Sequence, residues 1–179
     1  MIGAAAGLGL AFLLSACGGA TTGPNAGSEN DGVYVKLNGL YYQLQVSREL
    51  NQFSPEDHSY LMGLPSSPPG ALQIWYGVFL RAMNYTDKSH PTASTFDIRD
   101  TQGNVYHPVT LNPAKNSYGW TPSVLRPLGT EPAADTTASY GPTQGSLILF
   151  KLSTSVYANR PLTLDIHSAS STATISLNL

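Results

Sequence analysis

From Val33 onward the chain alternates apolar and polar residues with a period of two, which predicts strands half-covered by a core. Val33, Val35 and Leu37 share one face, with Tyr34 and Lys36 on the other. Asn38-Gly39 is a hairpin-turn signal, and Tyr42, Leu44 and Val46 then form a second apolar face. The run from Leu72 to Arg81 is nearly continuous in apolar residues, as expected of a central strand covered on both faces. Phe96 and Ile98 point inward between Asp97 and Arg99, and the turn Asp100-Thr101-Gln102-Gly103-Asn104 leads into Val105-Tyr106-His107. Leu147 to Leu152 is a further buried strand. Leu162, Leu164 and Ile166 alternate with Thr163, Asp165 and His167, and the last strand sets Ala173, Ile175, Leu177 and Leu179 against Thr174, Ser176 and Asn178.

Helix is scarce. Ser54-Pro55-Glu56-Asp57 has the order of a helix start, with a capping serine, a proline at the first position and acids in the first turn. One or two turns are expected, ending before Gly63 and Pro65. Between Asn112 and Pro142 the chain is rich in Pro, Gly, Ser and Thr and reads as long loops with one short strand around Val124. About seven strands separated by turns predict a two-sheet antiparallel β-sandwich, with a closed β-barrel as the alternative.

The first sixteen residues follow a different pattern. Leu8 to Leu14 is a dense apolar block with the length of a signal-peptide core, too short for a membrane-spanning helix of about 20 residues. It ends in Leu14-Ser15-Ala16-Cys17-Gly18, which resembles the lipobox of bacterial lipoproteins. That resemblance implies cleavage before Cys17, lipid on its thiol, and attachment at the extracytoplasmic face of the cell membrane. The first basic residue is Lys36, so a charged leader is expected to be encoded upstream of Met1. Residues 17–32 carry no large apolar side chain and read as a flexible tether. The expected organisation is therefore a signal peptide over residues 1–16, a lipid-anchored tether over 17–32, and one sandwich domain over 33–179.

Charged residues make up 11% of the chain and the net charge is −2, which excludes a basic nucleic-acid footprint. Cys17 is the only cysteine, so no disulfide or thiolate metal site is available once it carries lipid. The order Asn51-Gln52-Phe53-Ser54-Pro55-Glu56-Asp57, Tyr76-Gly77-Val78-Phe79-Leu80-Arg81, Asp100-Thr101-Gln102-Gly103-Asn104 and Asn159-Arg160-Pro161-Leu162-Thr163-Leu164-Asp165-Ile166 resembles the immunoglobulin-like lipoproteins of unassigned function found in Gram-positive bacteria. The resemblance covers about residues 40–179. It implies an immunoglobulin-like sandwich outside the cell and carries over no catalytic residue.

No motif for hydrolysis, phosphate binding or metal catalysis is present. Asp57-His58-Ser59 holds the residue types of a hydrolase triad, but consecutive side chains diverge, and an exposed helix start is expected instead. His58, His90, His107 and His167 lack metal-ligand spacing; His58 and Met62, at i and i+4, are the best local pair. His167 reads as a solvated strand residue and Arg160 as a donor to loop carbonyls. Most aromatics, Trp75 and Tyr76 among them, are expected in the core. Tyr118 and Trp120 lie in a predicted loop and are the candidate binding residues. The reading is a non-enzymatic module without a cofactor, presenting loops to a protein or cell-envelope partner. A small-ligand or metal-binding accessory lipoprotein is the alternative.

Overall fold

A computed structural model of the chain describes residues 25–26, 33–65 and 67–177. The elements in order are β1 (Asn25–Ala26), β2 (Tyr34–Leu37), β3 (Leu40–Leu50), α1 (Pro55–His58), a 3-10 turn (Ser59–Leu61), β4 (Gln73–Met83), β5 (His90–Pro91) and β6 (Thr95–Arg99). There follow β7 (Val105–Tyr106), β8 (Val124–Leu125), β9 (Thr130–Glu131), α2 (Thr137–Tyr140), β10 (Ser146–Ser153), a 3-10 turn (Thr154–Tyr157), β11 (Leu162–His167) and β12 (Thr172–Leu177).

Two sheets carry the fold. One runs β10-β4-β3-β2, with β9 on the end of β4; the other runs β1-β12-β11-β6-β7. All pairings in them are antiparallel except β1 with β12. Taking β3, β4 and β10 as strands A, B and E, and β6, β7, β11 and β12 as C, C′, F and G, gives the immunoglobulin order A-B-E against C′-C-F-G. The expected sandwich is present, and the sheets do not close into a barrel. Of the stretch read as a tether, Asn25–Ala26 lies within the described residues and pairs with Thr174 and Ile175. The expected signal peptide over residues 1–16, Cys17 and the rest of the expected tether lie outside them.

Local chemistry explains the turns. Asn38 and Gly39 both have positive φ (48° and 80°), the mirror-image turn that matches hairpin twist. In the β6–β7 turn, Asp100 Oδ1 accepts from the backbone N–H of Gln102 (3.0 Å) and Asn104 (2.9 Å), while Gly103 takes φ +83°. Asp100 Oδ2 also accepts from Asn159 Nδ2 at 3.1 Å, tying this turn to the chain before β11.

The alternation in β4 and β10 divides the apolar residues between two cores. Tyr76, Val78, Leu80, Ile148 and Phe150 face the second sheet and form the main core with Ile98, Leu164 and Ile166. Trp75, Phe79, Leu147 and Leu149 face the other way, under a cover of Tyr60, Leu64, Leu111 and Tyr118. Ile74–Leu80 is thus covered on both faces, as the continuous apolar run implied, whereas Leu72, read as part of that strand, precedes β4 and is exposed. The expected second face of Tyr42, Leu44 and Val46 needs correction. A bulge at Gln45 shifts the pairing from Leu44↔Leu80 to Val46↔Phe79, so Val46 packs with the outer core while Tyr42 and Leu44 stay in the inner one.

Two further expectations change. Helix α1 ends at His58 and gives way to a 3-10 turn, so His58 and Met62 do not share a helical face. Asp57 is buried, not part of an exposed helix start. Its carboxylate is clamped by the Arg48 guanidinium and by the backbone N–H of Asn51 (2.7 Å). Inside the long 112–142 stretch the structure adds α2 and β9 to the strand found at Val124.

Candidate cleft beside Trp120

Strand β10 is the outer strand of its sheet, and such an edge exposes unpaired backbone groups. The chain after β7 returns to cover it. Val109 N–H donates to Leu149 O (2.7 Å), Trp120 N–H to Leu147 O (2.8 Å), and Leu147 N–H to Tyr118 O (2.7 Å). Pro108 bridges Phe150 antiparallel, whereas Gly119 bridges Leu147 parallel. The chain therefore meets the edge twice and loops away between the two contacts.

Asn116 shapes that loop. It is buried, donates through Nδ2 to the carbonyls of Tyr60 (2.9 Å) and Met62 (3.0 Å), and accepts at Oδ1 from the N–H of Tyr118 and Gly119. Its amide thus satisfies backbone groups of a loop that would otherwise be costly to bury. The result holds Tyr118 edge-on to Tyr60 (4.7 Å between centroids) over the outer core. Trp120 turns toward the main core, edge-on to Phe96 (5.3 Å) and 6.2 Å from Tyr42.

Both candidate binding residues are half-buried. Trp120 Nε1 donates to Ala93 O at 2.9 Å, fixing the indole plane. Between the two edge contacts lies an open cleft of about 190 Å³ floored by β10 and walled by Phe96, Pro108, Val109, Leu111, Trp120 and Pro122. A second hollow of about 220 Å³ lies against Trp120 and adds Pro113, Gly119 and Thr121 to the shared Thr110, Leu111 and Pro122. None of the residues lining either space is titratable. The place can accept apolar groups and, through Ser94, Thr110 and its backbone, hydrogen bonds.

Elsewhere, two carboxylates of the second sheet are held by basic side chains. Arg99 grips Asp165 through Nε (2.6 Å) and Nη2 (2.9 Å), and Thr174 donates to the same carboxylate. Asp97 receives His107 Nδ1 on one oxygen and His167 Nε2 on the other. Sequence spacing did not reveal this trio, because its members come from β6, β11 and the residue just after β7; only the outward parity of Asp97 and His167 hinted at it. Among the described residues no group of three His, Cys, Asp or Glu side chains is arranged to hold a metal ion. Arg160 Nε donates to Tyr157 O, the carbonyl-satisfying role expected of it.

No protein-family model matches the chain, and no curated protein matches it. Among solved structures it is similar to an uncharacterized β-sandwich protein from Clostridium difficile 630, at 10% identity over 83% of this chain and 92% of that one, with a TM-score of 0.44. The yjhA protein from Bacillus subtilis aligns at 9% identity over 86% of this chain and 98% of that one, with a TM-score of 0.45. A Bacillus subtilis protein described as a "putative lipoprotein (ycdA)" aligns at 8% identity, covering 84% of this chain and 39% of the other, with a TM-score of 0.48.

Proposed function

We propose that the protein is a non-catalytic, lipid-anchored module on the extracytoplasmic face of the cell membrane, binding a protein or cell-envelope partner at the Trp120 cleft. The reading also places it with the immunoglobulin-like lipoproteins that its motifs resemble. Its anchor is Cys17, acylated after cleavage of residues 1–16. No described helix is long and apolar enough to cross a membrane.

The observation that carries the reading is the chemistry of the cleft. Its lining is mixed, apolar side chains with Ser94, Thr110 and backbone polar groups, and free of titratable groups; it is open along a strand edge, and its volume of about 190 Å³ falls below the roughly 300–1,000 Å³ of small-molecule pockets. Such a site suits one or two apolar side chains of a larger partner, with the exposed rim giving orientation.

The test is partner capture from intact cells by the anchored protein. Thr110→Arg, which places a charged chain on the exposed rim, should abolish capture, while Leu72→Arg, remote from the cleft, should leave it intact. Capture unaffected by Thr110→Arg sinks the cleft as the contact surface. In the same cells Cys17→Ser should lose membrane retention; a Cys17→Ser protein that is cleaved and still retained sinks the anchor.

A further inference from the structure

One end of the sandwich gathers four loops. A hollow of about 390 Å³ is lined by Asn38, Tyr42, residues 91–95 and residues 167–169, which sets the β2–β3 turn, the β5–β6 link and the β11–β12 turn side by side. The fourth loop joins them through β5, since His90 pairs with Leu125. Strand β1 pairs parallel to the middle of β12, through Thr174 and Ile175, and β12 runs away from this end. At Asn25 the backbone of β1 therefore points, in its N-terminal direction, toward the same end.

This end also carries exposed apolar side chains: Leu128 (80% exposed), Val124 (65%) and Tyr85 (65%). Leu128 is held there against its own preference. Its φ is +63°, a left-handed conformation that a side chain such as leucine rarely adopts and that marks constraint. The constraint comes from Asn84, which is buried. Leu128 N–H donates to Asn84 O (2.9 Å), Asn84 N–H donates to Gly129 O (3.0 Å), and Asn84 Nδ2 donates to the carbonyls of Leu125 (2.9 Å) and Lys88 (2.7 Å). A buried polar residue thus clamps two loops so that an apolar side chain stands in water.

We infer that this end is the membrane-facing surface of the protein, with Leu128, Val124 and Tyr85 inserting into the bilayer interface. The inference rests on the lipid-anchor reading, which supplies the occupant. Cys17 precedes Asn25 by eight residues, a span of at most about 28 Å when fully extended. Because the β1 backbone points toward this end at Asn25, acylation of Cys17 would draw this end to the lipid. The contact is made by the apolar side chains of Leu128, Val124 and Tyr85, so it should be insensitive to salt. Three side chains are too few to hold a free protein on a bilayer. Lipid on Cys17 makes the contact intramolecular, at an effective concentration on the order of mM, where a weak contact suffices.

The opposite end supplies the control. Phe53 and Leu72 are equally exposed and apolar there, beside the end of β3 and the start of β4. Because Cys17 is the only cysteine and would be acylated, Leu128→Cys and Leu72→Cys each offer one free thiol for an environment-sensitive fluorophore in the full acylated protein. The labelled proteins are reconstituted in phosphatidylcholine vesicles with and without doxyl-labelled chains, and the mass of the Cys17 peptide is measured alongside. The label at position 128 should blue-shift and lose most of its emission to the doxyl groups, unchanged by added salt, while that at position 72 behaves as in water. With Cys17 acylated, a water-like label at position 128, or equal quenching at both positions, overturns the inference and leaves the anchor standing. A blue shift at position 128 without vesicles that grows with protein concentration assigns the surface to a second copy and also overturns it. An unmodified Cys17 overturns both.

Discussion

Trp120 and Tyr42 hold the two backbone polar groups of a single residue: the indole N–H donates to Ala93 O (2.9 Å), and the phenol oxygen accepts from Ala93 N–H (2.7 Å). Ala93 sits in the link between β5 and β6, so these bonds join the chain covering the β10 edge, the first long strand and the loops of the opposite sheet. Burial pushes the Tyr42 hydroxyl pKa up, with the Ala93 bond opposing, so the phenol stays protonated. Trp120 is therefore both a wall of the cleft and a structural tie.

That dual role changes what Trp120→Ala should do. From the sequence, truncation would be expected to weaken binding and spare the fold. With the indole packed on Phe96 and bonded to Ala93, truncation should also cost about 2 kcal/mol of stability, below the roughly 3–5 kcal/mol of a fully buried Trp because one side faces the cleft. Trp120→Phe keeps a ring against Phe96 and loses the N–H, leaving Ala93 O short of a donor at about 1 kcal/mol. Urea denaturation of both variants checks the ordering. Equal midpoints for Trp120→Ala and the parent protein would make the indole a free binding group.

Acid should unfold the protein through two carboxylates. Burial raises the Asp57 pKa, but the Arg48 hydrogen bond and the Asn51 N–H outweigh it and hold the carboxyl below its ordinary 3.8. At Asp100 desolvation is likewise outweighed, by the bonds from Asn104, Asn159 and Gln102. A folded-state pKa below the unfolded one means that the stabilisation is complete above the ordinary value and is lost as pH falls through it toward the depressed value. Glu131 has the opposite sign: burial raises its pKa against the Ser146 hydrogen bond, so its contribution to stability falls as pH climbs from 4.5 toward the raised value. Thermal melts between about pH 5 and pH 2 should drop steeply at the acid end, less so for Asp57→Asn. An Asp57→Asn profile parallel to the parent's would remove Asp57 from the account.

The strands were readable because alternation reports burial directly. Ile166 is fully buried and its neighbour His167 lies on the outer face against Asp97, as the parity of β11 requires. Ile166→Asp should abolish folding, since an unpaired charge in the core costs several kcal/mol against a total of about 5–15 kcal/mol. His167→Ala should shift the melting temperature little, its bonds to Asp97 and Thr172 being at the surface. Circular dichroism melts of the pair test the register, and a stable Ile166→Asp protein would break it. The cleft was less readable. Tyr118 and Trp120 stood out as loop aromatics, but the backbone bonds that pin residues 108–120 to β10 leave no periodic trace, and neither does the organising role of Asn116. Val46 was placed on the wrong face for a similar reason, because a one-residue bulge has no marker in an otherwise regular strand.

The bulge makes the sharpest prediction about how the chain specifies its two cores. Before it, Tyr42 and Leu44 face the inner core; after it, Val46 and Leu50 face the outer one, although all four positions are even-numbered. The change of parity comes from Gln45, the residue left between the pairs Leu44↔Leu80 and Val46↔Phe79. Deleting Gln45 joins the two registers into one continuous ladder with every apolar side chain still on its present face. The deletion should cost no more than about 2 kcal/mol, within the range of ordinary single substitutions and attributable to lost local twist. Deleting Gln43, two residues away on the same strand, should be far worse. If the bulge is kept, Tyr42 turns out of the main core; if the bulge is absorbed, Leu44 leaves it and Gln45 enters, a buried amide without an assured partner. Urea midpoints of the two deletions decide the matter. Equal losses would mean that the bulge, rather than the side-chain pattern it reconciles, sets the stability of β3.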